Sequence, residues 1–400
     1  MLTQLQALGY TWDTLPYPGR DANIKMAQSA GDVKKTWQNY PTYGQYVQLM
    51  QGFAAQHSNI CRLVEIGNSQ QGHKLYALKI TNHPDVLEDE PKVFLTSTIH
   101  GNEPTGYIVL LRLANQILTG YNNDSRLTAL VNSEELWINP LANPDGTYAG
   151  GDDTVKYATR VSSSGINLNR NFPDFTLGDH PDGNAWAPET IAMMNFATLH
   201  HFTLSANLHS GNEVVNYPWD GVADRHPEDA WFKALSRAYA KQAQQDGPNK
   251  YMTKLDNGIT DGYDWFEVHG GRQDYMTYYQ GGREVTIELI DKYLVNGSEL
   301  DYCWNANNRA LLGYAETALT GVRGIITDKK GKPLAATIGV TSIVAQGAPI
   351  VSDPIIGDYH RMLLPGEYTI QVAAPGYATV LKAVSVTGGA ATRLDVQLGR

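Results

Sequence analysis

Short apolar runs alternate with helical patterns through the middle of this chain, and that alternation limits its fold more than any other feature. Residues 92–99 (KVFLTSTI) form a compact run rich in β-branched side chains and read as a buried strand ending at His100-Gly101-Asn102-Glu103. Pro104 stands where a helix begins, and Ile108, Leu111, Ala114 and Leu118 follow at helical spacing. Residues 135–139 (ELWIN) predict a second strand, closed by the turn Asn143-Pro144-Asp145-Gly146. Pro188-Glu189-Thr190 opens another helix through Ile191, Met194 and Ala197. Residues 204–208 predict a third strand ending at His209, residues 284–289 a fourth, and 298–319 a last long helix. This order predicts an α/β fold, a mixed, mostly parallel central sheet with helices on both faces.

The pattern changes at residue 321. Strands are predicted at 322–327, 362–364, 367–373, 379–386 and 392–398, with turn signals between them and no helical period. That is a small all-β sandwich of about 80 residues. The first 42 residues are weakly periodic and read as an extended lead-in. The expected division is therefore 1–42, 43–320 and 321–400.

Composition serves mainly to exclude. Lys and Arg number 31 against 41 Asp and Glu, a net charge of −10 with no basic run, which argues against nucleic acid or an anionic membrane surface as partner. No stretch approaches the roughly 18 consecutive apolar residues of a membrane span, and the N-terminus lacks the basic start and apolar stretch of a signal peptide. Cys61 and Cys303 cannot build a disulfide framework and read as free thiols.

In an α/β sheet, chemistry collects beyond the carboxyl ends of strands. Three such ends carry His100, His209 and Glu288, and Glu103 lies three residues past His100 across the strand-to-helix turn. Two imidazoles and a carboxylate with one open position form a known catalytic zinc arrangement. An Arg beside an Asn, as at Asn169-Arg170, can grip a carboxylate, and Arg160 lies ten residues before Arg170 in a polar loop. Glu288, flanked by Ile287 and Leu289, is either on an exposed face or aimed at a site. His360 beside Arg361 reads as a surface residue, and His200-His201 as cations favoured at a helix end.

The stretches HGNE (100–103), NPDG (143–146), NLNRNFPD (167–174), PET (188–190), SANLHSG (205–211), VNYPWD (215–220), GGRQDY (270–275) and TIEL (286–289) carry a resemblance. In their order and spacing, residues 43 to 319 resemble the zinc metallocarboxypeptidases, in the branch of carboxypeptidases D, E, M and N. The C-terminal strands resemble the transthyretin-like domain of that branch. The resemblance implies one Zn2+ held by His100, Glu103 and His209, with Glu288 as general base and acid for a zinc-activated water. It implies Arg160 as the carbonyl-polarising arginine, and Asn169 with Arg170 as the clamp for the substrate's terminal carboxylate. Asp220 and Gln273 occupy the positions that mark removal of C-terminal Lys or Arg. The expected substrates are thus basic peptide or protein C-termini, and the expected state is a monomer, secreted or periplasmic by resemblance.

Two positions depart from the family. Phe266 stands where the family has a substrate-contacting tyrosine. Asn167 replaces an aspartate that supports a ligand histidine, which removes the charge that raises ligand basicity. These changes leave two other readings open: a module that binds basic C-termini without hydrolysing them, and a zinc amidohydrolase of a small acylated amino acid.

Overall fold

The computed structural model describes residues 8, 9, 11 and 24–400. The first eight strands are β1 (Cys61–Asn68), β2 (Lys74–Ile80), β3 (Lys92–Ser97), β4 (Glu135–Asn139), β5 (Leu204–His209), β6 (Asn212–Tyr217), β7 (Ile259–Asp261) and β8 (Glu284–Ile290). They form one mixed sheet in the order β1-β2-β4-β3-β5-β8-β6-β7. Its centre is parallel through β4, β3, β5 and β8, whereas β1–β2, β2–β4 and β8–β6 pair antiparallel. Parallel neighbours require crossovers, supplied by the helices Thr105–Gly120 and Pro188–His200.

The two-residue period of the strands sorts the core into two layers. Val93, Leu95, Ile138, Ala206, Leu208 and Ile287 face a cluster shared with the helices Tyr43–Gln56, Thr105–Gly120, Asp229–Asp246 and Gly297–Glu316. Phe94 and Trp137 point the other way, onto Phe172, Met193, Phe196 and Met276. Because both faces are covered, the central strands read as continuous apolar runs.

Three expectations differ in detail. The lead-in is not extended throughout its described part: the helix Ala30–Thr36 is capped by Ser29, whose Oγ accepts from Asp32 N at 3.1 Å, and it buries Val33. The remainder of the lead-in lies outside the described residues. The strand over 92–99 stops at Ser97, because Thr98 takes φ 64° and turns the chain toward His100. His200 is not a helix-end cation, since burial lowers its pKa to about 4 and its ring packs against Trp137 and Phe196.

The C-terminal strands are β9 (Val322–Asp328), β10 (Thr337–Val340), β11 (Ile350–Val351), β12 (Asp358–Arg361), β13 (Gly366–Ala373), β14 (Val380–Val386), β15 (Thr392–Arg393) and β16 (Val396–Leu398). One sheet runs β11-β10-β13-β14; β12, β15 and β16 all pair with β9 in the other. The strand expected at 362–364 lies instead at 358–361. Met362 joins the large α/β core, while Leu363 joins the core between the two small sheets. His360 is not a surface residue: its side chain is 8% exposed and faces Asp358 Oδ2 at 3.1 Å and Asp89 Oδ1 at 3.4 Å. Arg361 is buried with Glu228 at 2.7 Å, and Arg283 pairs with the same carboxylate. Arg283 immediately precedes β8, so these contacts gather at the amino ends of the parallel strands. A cavity of about 560 Å3 separates the two parts there, lined by Lys92, Phe202, Arg283, Val351 and Arg361 among others. Cys61 and Cys303 are buried free thiols.

Candidate metal centre and substrate pocket

Adjacent parallel strands bring the sequence-predicted groups together. His209 ends β5 and is in register with Glu288 of β8, while His100 follows β3, the neighbour of β5 on its other side. A turn closed by Glu103 N donating to His100 O at 3.1 Å carries Glu103 back under His100. Gly101 is required at this turn, since a Cβ there would lie 2.2 Å from the backbone carbon of Gly146.

Glu103 is the centre of the cluster. Its Oε1 lies 3.0 Å from His100 Nδ1 and 2.7 Å from Arg160 Nη1; its Oε2 lies 2.8 Å from His209 Nδ1 and accepts from Ser210 N at 3.2 Å. Burial alone would raise the Glu103 pKa, but the two imidazoles outweigh it and hold the carboxylate ionised. Burial also pushes His100 down to about 4, so the ring is neutral, as a metal ligand must be. Its buried Nδ1, although 3.0 Å from Glu103 Oε1, is not aligned for a hydrogen bond to it. The other ring nitrogen, Nε2, meets Asn167 Oδ1 at 3.1 Å, which fixes the ring's orientation without adding charge. One donor atom from each of His100, Glu103 and His209 lies within 4.8 Å of the others, and all three residues are buried. This donor set can hold zinc with a position left open. Beside it, Glu288 has its pKa raised well above the usual carboxylate value, first by burial and then by the charge of Glu103.

The second part of the site is the segment around the short 3-10 turn Leu168–Arg170. Leu168 and Phe172 anchor it in the smaller core layer. Asn169 Oδ1 accepts from Arg272 N at 2.9 Å, so its NH2 is the end left to donate. Arg170 donates to Asn169 O at 2.7 Å, and burial and then Arg160 lower its pKa.

Asp220 lies deeper, 4% exposed. Its Oδ1 accepts from Asn216 Nδ2 and Gln273 Nε2, both at 2.9 Å. Its own N–H and that of Gly221 donate to the Asp274 carboxylate at 3.0 to 3.1 Å, a support that no motif or local spacing singles out. Gly262 makes room for the Asp220 carboxylate, because a Cβ there would sit 1.8 Å from Oδ1. Glu213, a second buried acid, on β6, accepts from the Tyr302 hydroxyl and from Met252 N. Phe266 is 47% exposed and packs on Trp265. Tyr275 does not replace the missing hydroxyl there: it is buried against Phe172, and its OH accepts from Gln280.

The description "zinc carboxypeptidase" matches residues 46–310. The chain belongs to the zinc carboxypeptidase family. With it go Zn2+ as cofactor and hydrolysis at peptide C-termini as the family's chemistry. Similar proteins include carboxypeptidase SOL1 of Arabidopsis thaliana, 35% identical over 84% of this chain and 68% of the relative. Carboxypeptidase D of Mus musculus is 36% identical over 87% of this chain but only 26% of the relative, so the chain spans about a quarter of that protein. Among solved structures, thrombin activatable fibrinolysis inhibitor superposes with a TM-score of 0.62 over 74% of this chain and 78% of the other, at 18% identity. Carboxypeptidase A of Helicoverpa armigera gives 0.56 over 68% and 71%, at 21% identity. These two likenesses support the fold. For the C-terminal strands the matching description is the PEGA domain, residues 360–400, in place of the transthyretin-like domain that the resemblance implied. No helix among the described residues is long and apolar enough to cross a membrane.

Proposed function

We propose that this chain removes single Lys or Arg residues from peptide C-termini. His100, Glu103 and His209 would hold the zinc, which when bound supplies a Lewis acid for the scissile carbonyl and makes water acidic enough to attack near neutral pH. Glu288, kept protonatable by burial, takes a proton from the attacking water and delivers it to the departing amine. Arg160, whose side chain is 40% exposed, turns toward the carbonyl oxygen and stabilises its developing charge. The Asn169 amide and the Arg170 guanidinium bind the terminal carboxylate, which restricts the reaction to chain ends.

The observation that carries the basic preference is the Asp220 carboxylate. Two amides hold one oxygen of a buried acid, and its remaining capacity suits a cation far better than an apolar side chain. The test is a comparison of zinc-loaded protein on matched peptides ending in Arg, Phe and Arg-amide. Release of Arg, slow release of Phe and resistance of Arg-amide are expected. Equal rates for Arg and Phe would remove the preference, and hydrolysis of the amide at the Arg rate would remove the clamp. We further propose that the division of the chain falls near residue 320, and that the C-terminal strands stabilise the catalytic part from the end opposite the site.

A further inference from the structure

Arg160 lies in a stretch without helix or strand, yet its guanidinium must meet a developing oxyanion with little positional error. Its backbone is held from outside, through Asp145. The side chain of Asp145 is fully buried, and its carboxylate accepts from four donors. Ser69 Oγ and His73 Nδ1, the latter at 2.7 Å, meet Oδ1; Gln71 N and Ser163 Oγ, both at 2.8 Å, meet Oδ2. Three of these donors belong to the turn joining β1 to β2. The fourth, Ser163, belongs to the Arg160 segment. On the other side of Arg160, Thr159 N donates to Gly146 O at 2.7 Å. Arg160 is thereby bracketed by two bonds to the consecutive residues 145 and 146.

The same two residues serve the metal cluster. A Cβ on Gly101 would lie 2.2 Å from Gly146 C and 2.6 Å from Thr159 O, so the His100 turn, the 143–146 turn and the Arg160 segment are in direct backbone contact. Asn143 Nδ2 donates to Ile99 O at 3.1 Å and completes the lock. One point of backbone therefore sets the distance between the zinc cluster and the arginine.

We propose that Asp145 is a positioning residue for hydrolysis, acting through Ser163 and Gly146 to fix Arg160 relative to Glu103. This rests on the reading of Arg160 as the group that stabilises the carbonyl oxygen. An aspartate that merely closed the β1–β2 turn would need Ser69, Gln71 and His73 but not Ser163. Ser163 is exposed, so removing its hydroxyl tests the link without threatening the core.

The experiment is a double-mutant cycle on the zinc-loaded full chain with a peptide ending in Arg. Arg160→Ala should lower kcat by roughly 100-fold or more, the scale for losing one oxyanion donor. Ser163→Ala should lower kcat about 3- to 10-fold with KM within twofold, and should have no further effect when Arg160 is already alanine. Asp145→Asn should follow the same pattern with a larger loss. Hydrogen exchange in Ser163→Ala should quicken at amides 158–164 and nowhere else. A Ser163→Ala loss that is the same in both backgrounds, or no loss at all, overturns the inference. A silent Arg160→Ala refutes instead the role given to Arg160, and the inference falls with it.

Discussion

Replacing Asp220 with asparagine separates charge from shape in the pocket proposed for the substrate's terminal side chain. The asparagine keeps an oxygen for the Asn216 and Gln273 amides, and its backbone N–H still reaches the Asp274 carboxylate. What disappears is one buried negative charge. Truncating one partner of a buried charge pair costs about 2–5 kcal/mol. At about 1.4 kcal/mol per decade, kcat/KM for a peptide ending in Arg should fall roughly 30- to 4,000-fold. A peptide ending in citrulline, of the same length but uncharged, should change little. The assay is the ratio of the two kcat/KM values in each protein. An equal loss on both peptides would make Asp220 a structural residue, and no loss on either would mean that the cation is read elsewhere.

The same group supplies a pH dependence. Burial pushes the Asp220 carboxyl up to about 7, so it is largely neutral below that pH and charged above it. Because kcat/KM reports the free enzyme, the preference for Arg over citrulline should rise between pH 6 and pH 8 in the parent and stay flat in Asp220→Asn. Groups that serve both substrates, Glu288 among them, cancel in this ratio. The sign for folding is opposite. With a folded pKa raised from 3.8 to about 7, the native state binds more protons than the unfolded chain in that window. Stability is therefore lost as pH rises through it. Asp220→Asn should melt later than the parent at pH 8, and this advantage should shrink as the pH falls toward 4.

Glu103→Ala should abolish zinc retention, read as metal content after gel filtration. Glu288→Gln should keep the metal while kcat drops by about 100- to 10,000-fold, the range for losing a general base; metal loss from Glu288→Gln would move that residue into the ligand set. Asn167→Asp should raise zinc affinity about 10- to 100-fold in competition with a chelator, because it adds charge behind His100 Nε2. An unchanged affinity would show that the amide already does all that is needed. Phe266→Tyr, at a residue 47% exposed, should leave the melting temperature unchanged and lower KM by supplying the hydroxyl that the resemblance puts in contact with substrate.

The parts of this site that could be read from residues alone share one property: each is fixed by the local chain or by the direction of a central strand. His100, His209 and Glu288 were legible as a group because parallel strands place their carboxyl ends side by side, whatever the intervening sequence. Asn169-Arg170 could be proposed as a clamp from residues alone because the pair is contiguous. Where reading failed, the deciding partner lay far along the chain. His360 and Arg361 look solvated until Asp89 and Glu228 arrive from the other part of the molecule. The helix Ala30–Thr36 has Val33 as its buried residue, too little for a periodic signal, and gains its place by packing on the helix that follows.

Asp145 belongs to this second class, although its motif was in plain view. The residues NPDG announce a turn, and a turn aspartate ordinarily answers to its own neighbours. Here the carboxylate answers to Ser69 and His73, more than seventy positions earlier, and to Ser163, eighteen later. No local rule anticipates that. The same holds for Asp274 beneath Asp220, a pair separated by 54 positions. In both cases a buried acid accepts bonds from a segment whose charged group the proposed function turns toward the substrate, and burial without such donors would be costly. The supporting acids are therefore specified by the donors they must satisfy, and those donors are known only once the strands have brought the loops together. Charge reversal at either position should accordingly fail differently from charge removal. Asp274→Lys would leave the Asp220 and Gly221 N–H groups facing a cation and collapse the pocket, whereas Asp274→Asn keeps one acceptor oxygen and should retain part of the preference for Arg.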